Sequence, residues 1–221
     1  MKKELLAITC LLCMASTAQA LDITGNGAVV SQYIFRGIPQ SDNNTAVQGG
    51  LNLTESGFYL STWGSTVDDG DSDTSDGLEI DYYGGYNGQV GDFNYGAGVN
   101  WYTYTDDFDE EYLELSLTGG WKFLTVNAVF GEYDTDPDQD YQFYSLTANY
   151  NNFSATYGFF EDDFDGYYIQ GGYSNTFTLE GKTLFNYSLT AIYSSDDLLS
   201  NGEDDINFVA SISKSFKLFS N

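Results

Sequence analysis

The sequence predicts an all-β fold: a transmembrane antiparallel up-and-down β-barrel of about twelve strands, with short periplasmic turns and longer acidic extracellular loops. Three observations predict it. A unit of ten to twelve residues with one apolar and one polar face recurs along the chain. Its connections alternate between tight turns and acidic loops. No segment approaches 18 consecutive apolar residues after the first twenty positions, so a helical span is excluded.

The unit is clearest from Phe93 to Tyr104. Phe93, Tyr95, Ala97, Val99 and Trp101 share one parity, and Asn94, Gly96, Gly98 and Asn100 share the other. Extended chain places these two sets on opposite faces. One such strand fits a soluble sandwich, but a long series of them is satisfied most simply by a closed barrel in lipid, where every backbone group is paired and the apolar faces meet hydrocarbon.

Taken in order, residues 1–20 carry Lys2 and Lys3, an apolar run from Leu5 to Met14, and Ala18-Gln19-Ala20, the pattern of a cleaved signal peptide. The expected mature chain is a single barrel domain over 21–221. Cys10 and Cys13 both fall in the leader, so no thiol, disulfide or Cys metal site is expected after cleavage. Export without a helical anchor points to the bacterial outer membrane.

Strands set by parity, and broken at Gly, Asn and Asp clusters, fall at 28–37, 45–53, 58–67, 78–86, 93–104, 111–118, 124–133, 141–150, 153–160, 167–176, 183–194 and 206–216. Lengths near ten residues suit a tilted strand crossing the hydrocarbon layer. Acidic loops such as 68–77, 105–111, 134–140, 161–166 and 194–205 follow the odd segments, and turns such as 54–57, 87–92 and 151–152 follow the even ones. The loops hold 24 acidic residues and the turns three, Glu55, Asp92 and Glu180. Lys122 and Lys182 sit in turns, with Lys214 and Lys217 near the end of the last strand; only Arg36 lies near the loop end. One rim is therefore strongly anionic and the other mildly basic, a sorting that a soluble sandwich has no reason to make. The last strand, with Ile206, Phe208, Ala210, Ile212 and Phe216 in register around Lys214, resembles the signal read by outer-membrane assembly machinery, an expected partner, although Ser220-Asn221 departs from the usual terminal Phe.

Charge and residue types exclude several functions. Beyond the leader there are five basic and 32 acidic residues, a net charge of −27, which argues against nucleic acid as a partner. With 19 Tyr and 16 Phe the chain is no disordered acidic tail; it suits strands whose rings sit at membrane interfaces. The absence of His, and of Cys beyond the leader, removes triads, Cys nucleophiles and His-based zinc sites, and no carboxylate or Ser-Lys pair is spaced distinctively. No enzyme and no cofactor are expected. Asp69, Asp71 and Asp73, like Asp134, Asp136 and Asp138, alternate as in a calcium loop, but Thr74 and Gln139 stand where such a loop needs Gly, and no Glu follows at the twelfth place. Solvated loops are expected, with at most loose Ca²⁺ or Mg²⁺ binding that bridges them to lipopolysaccharide phosphates.

The stretch Ser31-Gln32-Tyr33-Ile34-Phe35-Arg36-Gly37-Ile38-Pro39-Gln40-Ser41, followed by Gln48-Gly49-Gly50-Leu51, Thr62-Trp63-Gly64-Ser65 and Glu79-Ile80-Asp81-Tyr82-Tyr83-Gly84-Gly85-Tyr86, resembles the TorF family of porins. The corresponding steps there are S-x-Y-x-F-R-G, Q-G-G-L/I-D/N, T-W-G/A-S and E-x-D-x-Y-x-G-Y. Pro39, where Ser or Thr is commoner, and the richer acid load of the later loops depart from it. The resemblance implies an outer-membrane barrel, and says little about what passes through.

Gln48, Asn52, Glu79, Asp81, Asn94, Asn100, Glu114, Ser116 and Asn127 lie on the parity opposite their strands' apolar residues and are expected to point into the lumen. A carboxylate facing lipid would be costly, which makes Glu79, Asp81 and Glu114 the sharpest of these assignments. Arg36 is expected either to pair with Glu79 or Asp81 in the lumen or to sit on the rim among loop carboxylates. The function expected is a porin-like channel for passive diffusion of small solutes or ions, weakly cation-preferring, in contact with outer-membrane lipid and lipopolysaccharide. The alternative is a closed structural or surface-interaction barrel whose lumen is occluded by tyrosines such as Tyr83 and Tyr102. A soluble secreted binding protein is the remaining class. The longest loop, about a dozen residues at 194–205, is short beside the inward-folded loop of trimeric porins and leans towards a monomer.

Overall fold

The computed structural model describes residues 21–68, 70, 77–106, 108–135 and 137–220. Residues 1–20, where a signal peptide is expected, Asn221, and the Asp69-Asp71-Asp73 and Asp136 parts of the alternating-aspartate loops lie outside the described residues. Twelve strands form the wall: β1 (Asp22–Val30), β4 (Ala46–Glu55), β5 (Phe58–Val67), β6 (Gly77–Val90), β7 (Phe93–Tyr104), β8 (Tyr112–Trp121), β9 (Leu124–Tyr133), β10 (Gln139–Tyr150), β11 (Phe153–Asp162), β12 (Tyr167–Leu179), β13 (Lys182–Ser194) and β14 (Asp205–Ser220). Between β1 and β4 the chain makes a small hairpin of β2 (Ile34–Phe35) and β3 (Ile38–Pro39). Every wall strand pairs antiparallel with its chain neighbours, and β1 pairs with both β4 and β14, so the sheet closes on itself.

The connections follow from backbone chemistry. Two-residue turns join β4 to β5 and β12 to β13, with positive φ at both central residues: Ser56 (53°) and Gly57 (88°), Glu180 (50°) and Gly181 (76°). The turns after β6, β8 and β10 carry it at Gly91, Lys122 and Asn151. These are primed turns, whose twist matches that of the flanking strands and so fixes the register tightly at this rim. The opposite rim carries the longer connections, whose only helix among the described residues is a single 3₁₀ turn at Asp196–Leu198.

Alternation then sorts the side chains. Leu60, Val99, Leu115, Val126, Ile169 and Leu189 are exposed on the outer face. Exposed aromatics flank them, Phe58, Trp121 and Phe153 towards the turn rim and Trp101, Tyr167 and Phe208 towards the loop rim. An apolar belt between aromatic girdles is a lipid-facing surface. The buried side chains are inside the barrel instead, in two clusters near the loop rim.

One expected strand is corrected. The segment 28–37 does not form a strand: β1 ends at Val30 and the chain turns inward. Twelve strands enclose more volume than their own side chains fill. Here the hairpin β2–β3 supplies filling for the loop half.

Candidate functional site

The site is the lumen, built around the hairpin. Its turn, Phe35-Arg36-Gly37-Ile38, has positive φ at both central residues, 49° for Arg36 and 87° for Gly37. Gly37 is required twice over, because a Cβ there would also lie 2.7 Å from the Cβ of Tyr168. Left-handed backbone at an arginine is costly and persists only where the surroundings hold it. They do so here. The Gly37 carbonyl accepts from Ser194 Oγ at 2.6 Å, the Tyr33 amide donates to Ser41 Oγ at 2.8 Å, and the Asp68 amide donates to the Gln40 carbonyl at 3.0 Å.

This backbone delivers Arg36 to Glu114 on β8. The guanidinium donates twice, Nη1 to Oε1 at 2.5 Å and Nη2 to Oε2 at 3.0 Å, and lies over the rings of Phe35 and Phe143, 4.6 and 4.4 Å from their centroids. Glu114 is 1% exposed and also accepts from Tyr141 (2.6 Å), Tyr102 (2.9 Å) and Asn100 (3.2 Å). The carboxylate is thus fully provided for by a bidentate cation and neutral donors. Around the pair, Tyr102 stacks on Tyr112 with centroids 4.3 Å apart, and Tyr112 on Tyr133 at 4.9 Å. Phe160 and Tyr168 complete the cluster.

A second contact holds the base of the hairpin. Tyr33 packs edge-on against Trp63 at 5.4 Å and donates to Glu79 at 3.2 Å, while Gln32 donates to Asn207 at 3.1 Å. Tyr83 donates to Asp81. Below this plug, towards the turn rim, lies a chamber of about 470 Å³. Its lining is mixed: Asn26, Gln48, Asn52, Ser61, Gln170 and Thr190 supply amides and hydroxyls, Val30, Phe35, Trp63, Ile192 and Val209 supply apolar surface, and Asp81 is the one charged side chain.

The sequence-predicted residues divide accordingly. Gln48 and Asn52 line the chamber. Glu79 and Asp81 lie inside the barrel, each 1% exposed. Arg36, Asn100 and Glu114 form one hydrogen-bonded group. Asn127 accepts from Thr118 and donates to Ser145, and Ser116 donates to the Gly98 carbonyl. Asn94 is exposed near the turn rim. Arg36 is inside, but its partner is Glu114 rather than Glu79 or Asp81. Sequence reasoning missed Gln32, Tyr33, Tyr141 and Phe143 as lumen residues. Arg36-Gly37 at the end of the expected strand 28–37, followed by Pro39, was the signal, since a glycine there favours a turn.

Fold and site together define a closed twelve-stranded barrel with a lipid-type exterior, filled at one end by its own first loop and hollow at the other. The chain belongs to the Gcw_chp family, described as bacterial proteins of unknown function, whose profile matches residues 14–192. Similar solved structures include Pseudomonas aeruginosa OccK2 (OpdF), at 10% identity and TM-score 0.39, covering 90% of this chain and 62% of that one. The outer membrane protein opdK of Pseudomonas aeruginosa shares 12% identity at TM-score 0.41, covering 79% and 57%. An anion-selective porin from Comamonas acidovorans shares 11% identity at TM-score 0.39, covering 90% and 99%. The chain thus spans less than two thirds of the length of the two Pseudomonas proteins. No curated protein matches it.

Proposed function

We propose that the protein is an outer-membrane, porin-like channel for small solutes or ions, with the hairpin β2–β3 as its constriction and a weak preference for cations. The observation that carries this reading is the chamber: a hollow of about 470 Å³ inside a barrel whose exterior is apolar, with amides and hydroxyls on its wall beside apolar side chains such as Val30, Trp63, Ile192 and Val209. A barrel built only as a membrane plug gains nothing from a hollow that carries polar side chains, whereas a diffusion path needs one. The acidic loop rim supports the cation preference, because a mouth of one sign concentrates counter-ions. The leader's signal-peptide pattern and the resemblance of residues 31–86 to TorF porins support the location. Solute passage asks no reaction of the protein, in keeping with a chain that has no His.

One observation favours a second reading, the closed barrel. Tyr102, Tyr112, Tyr141, Phe143, Phe160 and Tyr168 are all buried against the hairpin, so the loop half is packed rather than hollow. Planar-bilayer recording of refolded protein under a salt gradient separates the two. Discrete steps with a cation-signed reversal potential support the channel. Anion preference sinks the selectivity, and silence from protein shown to be folded by its heat-modifiable gel mobility sinks the channel in favour of the closed barrel.

A further inference from the structure

The two halves of the lumen use their polar side chains differently. In the loop half they are tied to one another: Arg36, Asn100, Tyr102 and Tyr141 all donate to Glu114. In the chamber many are not. Among the described residues, the side chains of Asn26, Asn52, Ser61, Gln170 and Thr190 make no hydrogen bond to protein. Gln32, only 7% exposed, has an Oε1 with no donor, while its amide nitrogen donates to Asn207 Oδ1 at 3.1 Å. Holding the wall together uses none of these free groups, which leaves them open to water or to a visiting solute.

Several of them belong to one patch. The registers of β1, β4, β5 and β6 set two rows across the lumenal face: Asn26, Gly50, Trp63 and Asp81 in one, Asn52, Ser61 and Tyr83 in the next. Strand geometry separates the rows by about 7 Å and neighbours within a row by about 5 Å. Gly50 leaves a gap in the first row. The position a Cβ would take there lies 3.3 Å from Trp63 Cδ1 and 3.4 Å from Asn26 Nδ2, so the indole and the amide stand side by side over it. Tyr83 donates to Asp81, the one charged side chain in the lining. The patch thus combines an indole, a phenol, two amides, a hydroxyl and a carboxylate, and holds no cation.

We propose that this patch binds a neutral sugar or related polyol, with Trp63 as the stacking platform and Asn26, Asn52 and Ser61 as hydrogen-bonding partners. An apolar solute would leave the amides and the hydroxyl without partners. A carboxylate or phosphate ester finds no lysine or arginine in the lining, and Asp81 repels it. A sugar has both properties that the patch asks for: C–H faces that pack on an aromatic ring, and hydroxyls that donate and accept as amides and serine do. The chamber's volume of about 470 Å³ lies in the range of small-molecule sites. The site rests on the channel reading above and gives it a solute class.

Trp63 itself reports on the site. The chain has three Trp, and Trp101 and Trp121 are exposed on the outer face, so Trp101→Phe with Trp121→Phe leaves Trp63 as sole reporter. The refolded variant, in micelles of a detergent without a sugar headgroup, is titrated with glucose, sucrose and glucose 6-phosphate, followed by emission and by calorimetry. A saturable emission change with glucose or sucrose is expected, with binding of glucose 6-phosphate weaker by about tenfold or more. Adding Asn26→Ala and Asn52→Ala is expected to weaken sugar binding by about tenfold or more, as the loss of two hydrogen bonds would. Should that variant not fold, Ser61→Ala replaces it, with a loss of several-fold expected. No saturable emission change with either sugar overturns the site, and so does a heat of binding without an emission change, which would place the sugar away from Trp63. Equal affinity for glucose 6-phosphate overturns the neutral class, and unchanged affinity in the Ala variants overturns the assigned partners. Binding in micelles requires no conduction, so a silent bilayer sinks the channel alone and absent binding sinks the site alone.

Discussion

Arg36 concentrates what single residues do in this molecule. A left-handed backbone at φ 49° throws its guanidinium inward, two aromatic rings sandwich it, and Glu114 takes it at both nitrogens. Replacing Arg36 with Ala leaves Glu114 buried and uncompensated, for which a loss of about 3–5 kcal/mol is expected. Urea-driven unfolding from lipid vesicles measures it; a loss below about 1 kcal/mol would show that water reaches Glu114 and that the pair is rim-like in energy. Gly37→Ala acts on the same turn by a different cause, backbone φ at 87° and a clash with Tyr168, and is expected to release the hairpin tip to protease while the wall stays resistant. Unchanged resistance of both parts would show that the turn tolerates the strain. At this scale the sequence was partly legible. Glu79, Asp81 and Glu114 were read as lumenal from parity alone, because lipid forbids the other face. Arg36's partner was not legible, since Glu114 stands 78 residues away and only closure of the barrel brings β8 opposite the first loop.

The hairpin β2–β3 is the element whose role alternation hides. Its residues Tyr33, Phe35 and Gly37 keep a period of two, so the pattern extends a strand that in fact stops at Val30. The bounds of β5, β7 and β9 were legible to the residue, because tight turns mark one end and each strand has an unbroken apolar face. Pairing of β1 with β4 and β14 makes no use of the hairpin. Replacement of residues 33–40 by a short Gly-Ser linker is therefore expected to preserve the barrel, judged by heat-modifiable mobility, while raising single-channel conductance several-fold. Conductance equal to the wild type would assign the constriction to the wall's own tyrosines.

For the whole molecule the governing fact is the separation of charge between rims, 24 acidic residues in the loops against three in the turns. Part of this field is internal to the loops, where Asp196 pushes the Asp197 carboxyl up from its ordinary range. Because the rim is solvated, its reach follows the Debye length, about 10 Å at 0.1 M salt and about 3 Å at 1 M. Cation preference that arises at the mouth should fade across that range, as reversal potentials measured at several salt concentrations would show. Preference that persists at 1 M would place selectivity in the buried lumen instead, where screening is weak. By itself the sequence determined the barrel class, a count of about twelve strands, the two faces and the charged rim. Each of these is a periodic or compositional property imposed by a two-faced strand between lipid and water, and each can be read locally. The inward hairpin, the Arg36–Glu114 pair, the open amides of Asn26 and Asn52 around Trp63, and the division of the lumen into plug and chamber were decided only by the tertiary structure. They depend on which distant strands face one another once the sheet closes, and on how much space twelve strands leave to be filled.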